Sequence, residues 1–126
     1  MIFDTDIIIW YLRGNTAANT LIEKTSDRFI SLQTQLELFQ GVRSKTELRL
    51  IKSFLSDLHI KVLPLSENIG HRAAIYIEEY SLSHGLQSQD AIIAATAAEH
   101  AETLCSGNRK HFSFIPSIDL KVFKPS

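Results

Sequence analysis

Short apolar runs alternate along this chain with longer stretches of helical periodicity, and no other feature narrows the fold so far. The runs are Met1–Phe3, Arg28–Leu32, "IKVLPL" at Ile60–Leu65, "TLCS" at Thr103–Ser106 and "LKVF" at Leu120–Phe123. Each reads as a strand. After the first, Asp4 or Asp6 caps a helix through Leu12 with Gly14 as its stop, and a second helix covers Ala17–Lys24. After the second, helical pattern runs from Thr34 to Val42. An amphipathic stretch then places Leu48, Ile51, Leu55 and Leu58 on one face. After the third, Ser66 caps a long helix in which Ile69, Ala73, Ile77 and Tyr80 recur at helical spacing, ending before Gly85. "SQDAIIAATAAEHA" is helical and apolar nearly all round, so it belongs in the interior. "GNRKHF" reads as a loop. Strands alternating with helical pairs specify an α/β fold with a mostly parallel central sheet, whose ligand sites lie at the carboxyl ends of the strands. Asp4 stands at such an end.

The 126 residues suit one domain, 1–126, with one core. Thirteen basic and 14 acidic residues leave a net charge of −1, so a polyanion partner has to be held by a local basic patch or by metal ions. The single Cys105 excludes an internal disulfide framework and reads as an inert small hydrophobe in a reducing cytosol. Asp4 and Asp6 interrupt any leader-like start. Ile7–Leu12 and Ala91–Ala98 are too short to span a bilayer, so a cytoplasmic, membrane-free protein is expected.

Four positions are placed to converge. Asp4 ends the first strand, Glu37 shares a helix face with Thr34 and Gly41 opposite Leu32, Leu36 and Phe39, and Asp90 lies in the first turn of the buried helix beside Ala94 and Ala97. Asn108 follows the fourth strand. Singly each has an ordinary reading: Asp4 or Asp6 and Asp90 as helix-start residues, Glu37 as a solvated side chain, Asn108 as a turn residue. Together, carboxylates with little else are the ligand set of Mg²⁺ or Mn²⁺. Two such ions about 4 Å apart activate a water and stabilise the leaving oxygen of a phosphodiester. Clustered carboxylates without a cation raise one another's pKa, which argues against a purely structural cluster.

"MIFDTDIIIWYLRGN", "ISLQTQLELFQG", "QDAIIAATA" and "CSGNRKHF" resemble, in order and spacing, the four signatures of PIN-domain proteins, and most of all the VapC-type toxins of toxin–antitoxin modules. The resemblance runs from Met1 to about Phe123. It implies a three-layer α/β/α fold and a Mg²⁺-dependent endoribonuclease, with Mn²⁺ able to substitute. It also implies an RNA substrate of the transfer or ribosomal class, a homodimer, and inhibition by a small cognate antitoxin. Asp4, Glu37 and Asp90 would be the catalytic metal ligands, with Thr5 as the small hydroxyl residue beside the first acid. At the fourth catalytic position many members carry Asp, whereas this chain offers Asn108 with His111 three residues later. Asp6 is an auxiliary that could offset the missing charge. Arg109, Lys110 and His111 adjoin Asn108 and are candidates for RNA phosphate contacts. Arg43, Lys45, Arg49 and Lys52 read as a solvated face.

Other chemistries fit less well. The five histidines lack zinc-site spacing, and no nucleophile elbow, P-loop or dinucleotide fingerprint is present. A ribonuclease H-like arrangement needs an antiparallel meander after the first acid, whereas Asp4 runs directly into a helix. A receiver domain lacks its lysine at a strand end. A PIN-fold module that binds RNA or antitoxin with weak catalysis is the alternative that Asn108 leaves open.

Overall fold

Strand β1 (Ile2–Phe3) shows how the molecule is layered, because its two side chains enter different cores. The computed structural model describes all 126 residues, Met1–Ser126. Ile2 packs with Ile69, Ala94 and Leu104 on one face of the sheet, while Phe3 packs with Ile7, Ile22 and Ile30 on the other. Strand β4 (Leu104–Ser106) repeats the alternation, with Leu104 in the first core and Cys105 in the second. These residues are fully buried, as strands covered on both faces require.

The sheet is completed by β2 (Phe29–Ser31), β3 (Lys61–Leu63) and β5 (Leu120–Val122). Its order is β3-β2-β1-β4-β5 and every pairing is parallel. Helices α1 (Thr5–Leu12), α2 (Thr16–Lys24), α3 (Leu32–Gln40) and α4 (Lys45–Asp57) lie with the Phe3 core. Helices α5 (Glu67–His84), α6 (Ser88–Glu99) and α7 (Arg109–Phe112) lie with the Ile2 core. The result is a three-layer α/β/α sandwich, and none of its helices is long and apolar enough to cross a membrane.

Local chemistry sets the helix starts. Asn15, Ser31, Ser44 and Ser66 each accept a backbone N–H three residues ahead, the ordinary capping bond. Asp4, not Asp6, is the cap of α1. Gly85 turns α5 into α6 with a left-handed φ of 69°, a conformation glycine adopts without Cβ strain.

One expectation is corrected, and two apolar faces find their places. "GNRKHF" is not wholly a loop, because its last four residues wind one helical turn, α7. The Leu32/Leu36/Phe39 face, opposite Glu37, leaves Leu36 52% exposed while Phe39 packs against the Phe3 core, and Thr34 and Leu38 are buried. The face of α5 carrying Ile69, Ala73, Ile77 and Tyr80 is spent on the core, which leaves Ile75 and Leu82 outward.

Candidate active site

Parallel strands converge their carboxyl ends on one edge of the sheet, and β1 delivers Asp4 there. The residue is only 4% exposed. Its Oδ1 accepts from the Thr5 backbone N–H at 2.8 Å and its Oδ2 from Ser106 Oγ at 2.7 Å. Ser106 ends the adjacent strand β4, and its Oγ also accepts the Asn108 N–H at 2.9 Å. Burial raises the Asp4 pKa. The Ser106 and Thr5 bonds pull it back, Glu37's charge pushes it up, and the Asn108 side chain pulls it slightly down.

Helix α3 brings Glu37 to the same edge. Gln33 Nε2 donates to its Oε1 at 3.1 Å, and the Thr5 hydroxyl donates to its Oε2. Thr5 Oγ1 also lies 3.0 Å from Thr34 Oγ1, which in turn lies 3.3 Å from Ser31 Oγ. Thr5 has one hydroxyl proton, and the carboxylate is the stronger acceptor. The hydroxyls therefore form a chain from the α3 cap to Glu37, which explains why Thr34 is buried.

Helix α6 supplies Asp90, whose side chain is 15% exposed. His111 of α7 places Nδ1 3.0 Å from Asp90 Oδ2. Burial lifts the Asp90 pKa from 3.8 to about 6. His111 works against that rise, and the charges of Asp4 and Glu37 add to it. The three acids thus lie within electrostatic reach of one another.

Asp6 sits beside them. Its Oδ2 accepts the Gly107 N–H at 2.9 Å, while its Oδ1 is buried without a partner. Burial first, and Asp4's charge second, raise its pKa to about 6. A Cβ on Gly107 would stand 2.7 Å from Asp6 Oδ2, so glycine lets the carboxylate approach the turn after β4. Arg109 and Lys110 are exposed on α7 and touch none of the acids.

The structure therefore gathers Asp4, Thr5, Asp6, Glu37, Asp90, Asn108 and His111, and leaves Arg109 and Lys110 at the rim. Sequence reasoning missed Ser106, Gln33 and the Asp90–His111 pair. Ser106 carried a readable signal as a small hydroxyl at a strand's carboxyl end; the other two become visible only when α3 and α7 are in place. No three acidic, His or Cys side chains are close enough to form a closed metal cage. The donor set nonetheless suits a hard cation: the carboxylates line one edge, Glu37's charge raises the pKa of both Asp4 and Asp90, and one buried oxygen has no donor.

From Glu37 an apolar groove leads outward between α1, α3 and α4, lined by Ile9, Leu12, Leu38, Val42 and Ile51, with Arg13 and Arg43 at its border. Ile9 and Leu12 are exposed there.

Comparison with known proteins agrees with this architecture. The family model described as the PIN domain matches residues 1–114. The chain is 30% identical over 122 residues to Ribonuclease VapC19 of Mycobacterium tuberculosis, covering 93% of this chain and 95% of that protein. A chain of a toxin–antitoxin complex from Klebsiella pneumoniae superposes with a TM-score of 0.79 at 30% identity, over 93% of each chain. A chain of VapBC2 from Rickettsia felis, solved bound to a DNA fragment from its promoter, has a TM-score of 0.83. At 24% identity, covering 98% of this chain and all of that one, it speaks to the fold alone. On the strength of the family match across most of its length, this chain belongs to the PIN-domain family.

Proposed function

We propose that the protein is a metal-dependent endoribonuclease serving as the toxin of a toxin–antitoxin pair. The observation that carries this is the convergence of Asp4, Glu37 and Asp90, mutually repelling, at the carboxyl edge of a PIN-domain sheet. The similarity to a VapC ribonuclease and to a toxin–antitoxin complex supports it. In this reading the three carboxylates hold Mg²⁺, or Mn²⁺ in its place. When bound, the cation supplies a Lewis acid that lowers the pKa of a coordinated water and screens charge on the phosphate.

The remaining roles belong to the chain itself. Thr5 and Gln33 aim Glu37, and Ser106 fixes one oxygen of Asp4. Asn108 occupies the fourth catalytic position as a neutral group, and Asp6 tethers the turn that carries it. Arg109, Lys110 and His111 face the backbone of a transfer or ribosomal RNA, Arg109 and Lys110 supplying the local positive charge that a chain of net −1 lacks overall. Such a substrate places the protein in the cytoplasm.

A cognate antitoxin would lay an apolar segment in the groove beginning at Ile9 and Leu12 and direct an Arg toward Asp4, Glu37 and Asp90. The arginine fork matches paired carboxylates and replaces a metal's charge without its chemistry. Replacing that Arg by Ala should leave binding and weaken inhibition; unchanged inhibition would point to steric cover instead. A symmetric homodimer, the commonest assembly type, would use apolar side chains left outside the core, such as Leu36, Ile75 and Leu82.

The test is cleavage of total RNA by the purified protein. We expect cleavage with Mg²⁺ or Mn²⁺ and none in EDTA, and equal cleavage in both would refute the metal reading. One observation favours a catalytically weak binding module: Asn108 is neutral, and His111 is already engaged by Asp90. RNA or antitoxin binding with no cleavage at any metal concentration would establish that alternative.

A further inference from the structure

Beyond the acidic edge, three aromatic rings form a cluster that the proposed chemistry does not use. The His84 ring stacks on Phe114, with centroids 4.2 Å apart and planes 19° apart. Tyr80 meets both, at 5.8 Å from His84 and 5.1 Å from Phe114. Tyr80 and Phe114 are partly buried against the Ile2 core, so the base of the stack is anchored. His84 is exposed, and Ser83 Oγ lies 2.7 Å from its Nδ1 and fixes the ring. A flat, pre-oriented aromatic surface is thus open to solvent at the end of α5.

Its position gives it meaning. A helix that feeds directly into a parallel strand runs against it, so α6, which leads into β4, begins at the carboxyl edge, where Asp90 lies. Helix α5 is joined to α6 by the short turn at Gly85–Gln87 and therefore ends at that same edge. Phe114 stands three residues beyond His111, which holds Asp90, and three residues of chain span at most roughly 10 Å. Arg109 and Lys110 share the single turn of α7 with His111, exposed and without an acidic partner. Unpaired cations beside a stacking face are what single-stranded RNA requires, since every base has a π-face and every step has a phosphate.

We propose that His84 and Phe114 form a shelf on which a base flanking the cleaved phosphate stacks, while Arg109 and Lys110 hold the adjoining backbone. This rests on RNA being the substrate. The shelf is already ordered, so a base loses its own freedom on docking while the protein loses little. Stacking tolerates any base, so the shelf positions the strand and leaves sequence choice to other contacts.

The experiment measures fluorescence anisotropy of a short, fluorescein-labelled single-stranded RNA with the full chain, using Ca²⁺ in place of Mg²⁺. We expect His84→Ala to weaken binding roughly 5- to 150-fold, the range for loss of one base–aromatic stack. His84→Trp should restore it. The slope of log Kd against log salt should not change in His84→Ala, whereas Lys110→Ala should lower it by about one, because only the lysine releases a counterion. Wild-type binding by His84→Ala, or failure of His84→Trp to rescue, would overturn the proposal. So would sedimentation showing that His84→Ala converts a dimer to a monomer, since a second copy would then cover the shelf. If the wild type binds RNA through His84 but cleaves none with Mg²⁺, the shelf stands and the nuclease reading fails.

Discussion

Asp90→Asn should end cleavage and yet make the metal-free protein more stable at neutral pH. The folded Asp90 carboxyl holds its proton to about pH 6, against 3.8 when unperturbed. A gap of that size amounts to about 3 kcal/mol of gross disfavour for the charged form. It already includes the favourable pull of His111, so that bond is not subtracted again. The cleft is partly open to water and screens the charge, which reduces the net to about 1–2 kcal/mol. Asn keeps the shape and drops the charge, so thermal unfolding in EDTA at pH 7.5 should rise by roughly 3–8 °C. The pH dependence follows from the direction of the shift. Between pH 3.8 and 6 the folded wild type binds more protons than the unfolded chain, so it loses stability as pH rises through that window. The variant has no such loss, and its advantage should shrink as pH falls from 7.5 toward 4. Millimolar Mg²⁺ should stabilise the wild type by binding its folded state and leave the variant nearly unmoved. Scanning fluorimetry at three pH values, with EDTA and with Mg²⁺, reads all of this. A variant less stable than wild type in EDTA at pH 7.5 would refute the reasoning, making Asp90 an anchor through His111 and the α6 dipole.

Thr5→Val removes the hydroxyl that aims Glu37 while keeping the volume; it should lower kcat at least tenfold and stability by about 1 kcal/mol, and a steady-state assay giving wild-type kcat would refute the positioning role. Gly107→Ala places a Cβ 2.7 Å from Asp6 Oδ2 and should cost about 1–3 kcal/mol in urea unfolding. Adding Asp6→Ala removes the obstacle and should recover part of that loss, whereas two losses that simply add would deny the contact. His111→Ala removes the group that lowers the Asp90 pKa, so the acidic limb of the pH–rate profile should move to higher pH; an unmoved limb would separate His111 from Asp90 in solution.

Much of the fold was legible because short strands and capped helices each obeyed a local rule. Ser66 and Gly85 bracket α5 by capping chemistry alone, and the nearly all-apolar α6 announces its burial. The acids were legible as well, since strand ends and helix starts are where a parallel sheet presents side chains to ligands. Helix α3 was legible only in part, because it serves the site. Its buried face carries Thr34, whose hydroxyl belongs to the chain ending at Glu37, so the polar residue packs inward and Leu36 is left outside. Helix α7 is a single turn, too short for periodicity to show, and its contact with Asp90 joins residues far apart in sequence.

The same electrostatics bears on how an acidic site can serve a polyanionic substrate. On the proposed reading, Asp4, Glu37 and Asp90 face a phosphate, and burial and neighbouring charge have already made Asp4 and Asp90 costly to ionise. Alone they would repel RNA, and Arg109 and Lys110 sit at the rim, where they steer the strand but cannot neutralise the cleft floor. A divalent cation reverses both terms: it favours the ionised carboxylates and attracts the phosphate they would otherwise reject. A partner's arginine accomplishes the first and, by occupying the floor, denies the second. The repulsion stored among the three acids is therefore released by either cation, so metal and an inhibitor's arginine should compete for the same electrostatic gain. On that reading the apolar groove beside Ile9 and Leu12 favours the arginine, because it can hold a partner's chain and offers a hydrated metal ion nothing.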